Sequence, residues 1–280
     1  MLNDDLKQTL NYFRALDKHW QDMQQPRPWS IDLFCSLQGE LVQETRGGRK
    51  QAGQLRTTQN WLGGRSPDTA LYVPPPERYL AERMQNLCDY LNDTAARKLE
   101  NIAIAHAQFE SLHPFIDGNG RVGRMLILFG LRQYGLLQQP VLPISWALKE
   151  DKASYYQRLQ AIRENGDWAG WLTFVAHKIQ IAADRALEKA SEMQQRERAD
   201  RERIHLARLP ESVLRTFERL VSRGTLQAQA LTEGEQMSPP TAYAALGKLM
   251  ELGICRELTG QSRGRVYAYE SYLQIMQSDL

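Results

Sequence analysis

The stretch His113-Pro114-Phe115-Ile116-Asp117-Gly118-Asn119-Gly120-Arg121-Val122-Gly123-Arg124 decides how the rest of this chain is read. A helical pattern precedes it, with apolar residues at Leu99, Ile102, Ala103, Phe109 and Leu112. A nearly all-apolar run, Met125 to Leu131, follows. A polar, glycine-broken loop between two buried helices is where a chain presents reactive groups, because the helices fix its ends.

The loop reads as a phosphate cradle. Gly118 and Gly120 permit backbone angles that other residues resist, so successive N–H groups can face one concavity. The second helix is expected to start near Gly120, where unpaired N–H groups and the helix dipole add to an anion site. Arg121 and Arg124 are three apart and share a face of its first turns. Two arginines there oppose the dipole, and a bound polyphosphate offsets that cost through bidentate, charge-assisted bonds. Asp117 would repel phosphate unless a divalent cation lies between them, as at magnesium–nucleotide sites. His113, at the end of the preceding helix, titrates near neutrality and suits a general base. Each residue alone has a bland reading, a capping histidine or a D-G-N-G turn. A base, an acid, an asparagine, two glycines and two arginines within twelve positions argue against it.

The segment resembles the Fic-family signature H-x-F-x-[D/E]-G-N-G-R-x-x-R and matches it at every fixed position. Gly53 to Gly64, followed by Ala70 to Pro76, is similar to the family's flap, and Tyr155 to Leu159 and Gly166 to Trp171 to its later helices. The resemblance covers about residues 6 to 185. It implies transfer of AMP from ATP, with Mg²⁺, to a Tyr, Thr or Ser hydroxyl of a protein, with pyrophosphate leaving. On that basis His113 deprotonates the target hydroxyl and Asp117 holds Mg²⁺ against the phosphates. Asn119, with the backbone of Gly118 and Gly120, positions the transferred phosphate. Arg121 binds the distal phosphates, Arg124 the terminal one, and Phe115 anchors the loop in the core. A relative with Lys in place of the second glycine transfers phosphate in the reverse orientation, so Gly120 argues for the nucleotidyl version.

Around the signature the chain reads as an all-α Fic helical bundle with a short β-hairpin flap. Leu6 to Trp20 is an amphipathic helix with apolar Leu6, Leu10, Phe13 and Leu16, and Pro26 and Pro28 end it. Asp32 to Val42 begins another helix, and Arg46 to Gly53 is loop. Thr57 to Trp61 and Ala70 to Val73 are expected to pair as a hairpin. In the family such a flap, here residues 53–73, docks the protein substrate by strand addition. Three prolines at 74 to 76 close it, and Glu77 to Asn92 resumes a helix. Ala147 to Asn165 and Trp168 to Leu187 complete the bundle, with Trp168 and Trp171 as core anchors.

The expected domains are 1–187, the Fic domain with flanking helices, 188–208, an exposed linking helix, and 209–280. The last unit reads helix (Ser212 to Val221), a short apolar segment (Ala228 to Leu231), and a Ser238-capped helix (Ala242 to Leu252). A hairpin of Ile254 to Leu258 with Arg265 to Tyr269 completes it. That order resembles a winged helix. Residues 206–280 balance eight basic residues against eight acidic ones, including Glu235, Arg263 and Asp279. The recognition-helix position offers Tyr243 and Lys248 but no Arg, Asn or Gln. Both features are poor for DNA and favour a docking or dimerisation role. The competing readings are a winged-helix DNA-binding regulator with a vestigial nucleotide site, and the toxin of a two-protein pair.

Composition fits an intracellular, cytoplasmic enzyme without a membrane partner. The 280 residues are 42% hydrophobic, enough for one or two cores, and carry a net charge of +2. No run reaches the roughly 18 apolar residues of a membrane span, and Met1 to Asp5 lacks a signal peptide's basic start. Cys35, Cys88 and Cys255 are far apart and odd in number, which excludes a disulfide framework and a cysteine-rich zinc site. Many relatives carry an inhibitory [S/T]-x-x-x-E-[G/N] helix whose glutamate pairs with the last signature arginine. The chain is expected to lack it, since Ser36 and Glu40 fit the spacing but Leu41 follows. Truncation, an unrestrained enzyme and a separate inhibitory protein stay open, as do self-modification and a homodimer.

Overall fold

The computed structural model describes residues 4–22, 28–49, 51–93, 98–234, 237–262 and 264–277. It is mostly helical, about 70%, with one small sheet, and divides into two compact units, Met1–Asp184 and Arg185–Leu280. Pro26, Glu235, Arg263 and Asp279 lie outside the described residues.

The first unit is built around two helices that flank the signature. Helix α4 (Lys98–Leu112) and helix α5 (Asn119–Gln133) pack closely because glycines on α5 face bulky groups of α4. A Cβ on Gly130 would lie 2.8 Å from Ile102, and one on Gly123 would lie 2.5 Å from the Glu110 carboxylate. Val122 and Met125 to Leu131 are buried on α5, and Ile102, Ala105, His106 and Phe109 on α4. Leu99, expected in that face, is 40% exposed because it sits in the first turn of α4, before the helix enters the core.

Helices α1 (Asp4–Asp22), α2 (Ile31–Val42) and α3 (Leu80–Asn92) enclose this pair. The Ser30 side chain accepts from the Leu33 N–H and starts α2. The buried stripe of α1 runs through Ala15, Leu16, His19 and Trp20. Phe13 stands at its margin, 60% exposed, and meets the Tyr12 ring edge-on. The single helix expected over Ala147 to Asn165 is two, α6 (Ile144–Glu150) and α7 (Lys152–Asn165). The break falls at Asp151, whose non-helical backbone leaves its carboxylate paired with Lys178 at 3.2 Å. Trp171 is fully buried and donates through Nε1 to the Ala103 carbonyl, as befits a core anchor.

The flap is not a two-stranded hairpin. Its limbs meet at one antiparallel bridge, Leu62 with Tyr72. The backbone of the first limb is engaged elsewhere: the Arg56 N–H donates to the Pro114 carbonyl and the Thr57 N–H to the Gln51 side chain. Between the limbs, Gly63 and Gly64 take φ of 71° and 67° and Pro67–Thr69 form a 3-10 turn, so the chain curls instead of extending. Pro74 to Pro76 have no N–H with which to prolong a ladder.

Helix α8 (Trp168–Leu206) contains the boundary between the units. The stretch expected as an exposed linking helix, 188–208, is its second half, and it carries buried groups of the second unit. Ile204 is buried there, and Asp200 accepts from the Tyr269 hydroxyl at 2.8 Å and Ser271 Oγ at 3.1 Å. The unit continues with α9 (Glu211–Arg223), β1 (Thr225–Gln227), α10 (Ala228–Gly234), α11 (Pro239–Glu251), β2 (Cys255–Glu257), β3 (Val266–Tyr269) and α12 (Glu270–Gln277). The apolar Ala228 to Leu231 segment opens α10, and α12 was not foreseen. The sheet is antiparallel in the order β1-β3-β2, with Leu226 opposite Tyr267 and Arg256 opposite Ala268. Phe217, Leu246, Leu249 and Tyr269 lie in its core. Among the described residues no helix is long and apolar enough to cross a membrane, and the three cysteines are free thiols.

Candidate active site

The loop between α4 and α5 turns twice through left-handed backbone. Gly118 does so at φ 87° and forms the N-cap of α5. Gly120, expected to need the same freedom, is helical, and its lack of a side chain matters for space: a Cβ would lie 3.1 Å from Arg124 Nη1. The other turn is His113, at φ 45°, a conformation that a residue with a Cβ rarely adopts. No local pattern marks that turn.

These turns bring His113, Asp117, Gly118, Gly120, Arg121 and Arg124 to one loop and the first turns of α5, which has no acidic residue in its first turn. Asn119 faces the other way. It is 2% exposed, and its amide is engaged with the backbone of Phe115, whose ring is fully buried. The amide thus clasps the loop from within. Three side chains that the sequence reading passed over hold the loop from outside. Gln38, fully buried on α2, donates to the Asp117 carbonyl at 2.9 Å and accepts from the Gly53 N–H at 2.6 Å. Asn60 donates to the His113 and Phe115 carbonyls at 3.4 and 3.3 Å. Arg56, 2% exposed, donates through Nε to the His113 carbonyl at 3.0 Å.

Burial pulls the His113 pKa down from 6.5 to about 4, with Arg56 and Arg163 pushing the same way against the Glu110 carbonyl. The ring is neutral at pH 7, and its Nδ1 is shut from solvent. Arg121 donates to the Leu41 carbonyl at 3.3 Å and pairs with Asp117 Oδ1 at 3.4 Å. Asp117 Oδ1 also accepts from the Gly118 N–H at 2.6 Å. Its Oδ2 accepts no hydrogen bond among the described residues, and the side chain is 45% exposed. A half-exposed carboxylate next to the N-terminus of α5 fits Mg²⁺, which is commonly held by one or two carboxylates plus substrate phosphates. No cluster of three or more His, Cys, Asp or Glu suited to a metal occurs among the described residues.

Beneath Arg124, which donates through Nε to Ser145 Oγ at 3.0 Å, lies a buried polar layer. His106 Nδ1 faces the Gly123 carbonyl at 3.0 Å, so that nitrogen carries the proton and Nε2 accepts from the Tyr155 hydroxyl at 3.0 Å. Burial drops the His106 pKa to about 3 and raises that of Glu110 to about 7, against the pull of Arg124 and Arg163. Glu40, the glutamate of the Ser36 pattern, pairs with Lys18 at 2.5 Å and His19 at 3.2 Å.

Residues 28–131 match the sequence profile of the Fic/DOC family. The chain carries a Fic/DOC domain. Protein adenylyltransferase fic-1 of Caenorhabditis briggsae is 31% identical over 138 residues, 48% of this chain and 24% of that protein. Protein adenylyltransferase Fic of Drosophila willistoni is 31% identical over 148 residues, 52% of this chain and 27% of that protein. The chain thus spans about a quarter of the length of these curated relatives. In fold it is similar to a Fic family protein from Desulfovibrio desulfuricans, with a TM-score of 0.57 at 21% identity over 96% of this chain and 76% of that one. Fic-1 from Caenorhabditis elegans gives 0.51 at 24%, over 67% and 52%.

Proposed function

We propose that the first unit transfers AMP from ATP to a hydroxyl of a protein, releasing pyrophosphate. The observation that supports this reading best is the glycine-capped N-terminus of α5 with Arg121 and Arg124 on its first turns, reached from His113 through one short loop. The uncapped N–H groups and the two guanidinium groups suit a polyphosphate. His113 takes the proton of the target hydroxyl, whose oxygen forms a bond to the α-phosphorus. The bond from that phosphorus to the bridging oxygen breaks, and its electron pair leaves with pyrophosphate. Beyond this proton transfer the chain contributes position and charge, which is most of what phosphoryl chemistry needs. Asp117 is the residue that would hold Mg²⁺, which supplies charge neutralisation on the phosphates when bound. A His113 pKa of about 4 describes the free protein. Added phosphate charge moves it up toward the working range of a base at neutral pH.

The flap is the proposed docking place of the protein substrate. Leu71 is 82% exposed and Val73 43%, next to backbone that is paired only at the Leu62–Tyr72 bridge. Such an edge accepts an added strand. The second unit, in which β2 and β3 follow α11 and β3 pairs back onto β1, we read as a winged-helix module that docks protein.

Incubation of the purified chain with ATP labelled on the α-phosphate, in a cell lysate, tests the reaction. Covalent label on a protein, or on the chain itself, is the expected result. Transfer of a γ-label without the α-label overturns the proposal in favour of a kinase-like reaction.

A further inference from the structure

We infer that Arg56 is a positioning residue of this site: from the flap it fixes the backbone of His113, with Asn60 as its assistant. The inference rests on the reading of His113 as the base.

Arg56 is almost wholly buried, and the Glu77 carboxylate supports its charge against that burial. Its donors go to carbonyl oxygens on two sides. On the flap it reaches Thr58 through Nη1 at 3.0 Å and Pro75 through Nη2 at 2.5 Å, one on each limb. At the end of α4 it reaches His113 through Nε at 3.0 Å and Leu112 through Nη2 at 3.5 Å, while its own N–H donates to Pro114 at 2.8 Å. The last carbonyls of a helix are unpaired within it and favour a cation, so the guanidinium caps α4 and ties both limbs of the flap to that cap.

The position it caps is unusual. A left-handed residue after a helix is normally glycine or asparagine, and here it is His113 at φ 45°. Such backbone persists only where its surroundings over-determine it. The His113 carbonyl receives two flap donors, Arg56 Nε and Asn60 Nδ2, and Asn60 also holds the Phe115 carbonyl. No lysine can replace that set, because an ammonium lacks the planar fork that spans four carbonyls. The charge of Arg56 acts on the ring as well. Arg56 and Arg163 disfavour protonation of His113, and the Glu110 carbonyl opposes them.

The test uses the full chain with Arg56→Lys, Arg56→Gln and Asn60→Ala. Far-UV dichroism establishes folding, calorimetry gives ATP affinity, and the transfer rate is taken at saturating ATP. NMR follows titration of the His113 ring, assigned by its loss in His113→Gln. Arg56→Lys should keep ATP affinity within about threefold and lose about tenfold or more in rate, since it displaces the base without touching the phosphate cradle. Arg56→Gln should in addition raise the His113 midpoint from about 4 toward 6.5. Asn60→Ala should lower the rate by less and leave the midpoint in place. Folded Arg56 variants with unchanged rate and midpoint would overturn the inference, as would a loss confined to ATP affinity. Should the Arg56 variants fail to fold, an unchanged rate in Asn60→Ala overturns it. If the parent protein transfers nothing, the reaction reading fails by itself, and the His113 midpoint and ring shifts of the Arg56 variants still decide the positioning role.

Discussion

One side-chain amide closes the signature loop on itself: Asn119 Oδ1 accepts the Phe115 N–H at 2.9 Å while its Nδ2 donates to the Phe115 carbonyl at 2.7 Å. Both backbone groups are buried with the ring, and no water can replace the amide. Asn119→Ala should therefore cost about 1–3 kcal/mol, the penalty for stranding buried polar groups. Asn119→Asp keeps the acceptor but sets a second carboxylate oxygen against the buried Phe115 carbonyl, so it should cost at least as much as the alanine variant. Urea unfolding of the three proteins checks this. A change under about 0.5 kcal/mol for the alanine variant would return Asn119 to the phosphate.

His113→Ala and Arg124→Ala should separate chemistry from binding. A general base acts in the transition state, so His113→Ala should reduce transfer by about 10²–10⁴ and leave ATP affinity nearly intact. Arg124→Ala should weaken ATP by about 1.5–3 kcal/mol, the range for a hydrogen bond to a charged group, and AMP far less. Calorimetry with both nucleotides decides the assignment. ATP affinity lost in the histidine variant would make His113 a binding residue.

Much of this site was legible in the sequence because it sits in twelve consecutive residues. The helices flanking it, the buried Phe115 and the capped α11 each announce themselves through local pattern. What escaped depends on contacts across long separations. Arg56 meets His113 over 57 positions and Gln38 meets Asp117 over 79, and neither carries a local signal beyond being a polar residue in an ordinary setting. Arg56 in a stretch without any acidic neighbour was the available clue. The flap was misread for a related reason. The glycines bracketed by the two limbs suggested a hairpin, but backbone donors of the first limb are used by Pro114 and Gln51, which the limb's own sequence does not reveal. The inward bonds of the Asn119 amide are hidden by the same limit, since side-chain direction on the first turn of α5 follows from the Gly118 turn and not from the motif.

Gly118→Ala tests the turn directly. At φ 87° a Cβ is strained by about 1–2 kcal/mol, and the added methyl would lie 3.4 Å from Val42 and 3.7 Å from Arg121. The variant should fold, lose about that much stability, and bind ATP more weakly because the N–H groups around the N-cap are re-aimed. Unchanged ATP affinity in a folded Gly118→Ala protein would show that the backbone at this turn does not touch phosphate.

The buried titratable groups set a pH dependence of stability. His106 and His113 have folded-state pKa values of about 3 and about 4, below their ordinary 6.5. Above pH 6.5 they are neutral in both states. As pH falls below 6.5, the unfolded chain takes up protons that the folded protein does not, so stability is lost progressively down to those lower values. Glu110 acts in the opposite sense. Its pKa is raised from 4.5 to about 7, so its contribution is full below 4.5 and is lost as pH rises through 7. Between 4.5 and 6.5 two histidines work against one carboxyl, and these three groups together predict a first unit that weakens on acidification. Urea midpoints at pH 7.5, 6.0 and 5.0 should fall in the parent, fall less in His113→Gln, and fall more steeply in Glu110→Gln, where the opposing proton is gone. Parallel curves for the parent and His113→Gln would mean that the ring is protonated in the folded protein, and the base would then have to be sought elsewhere.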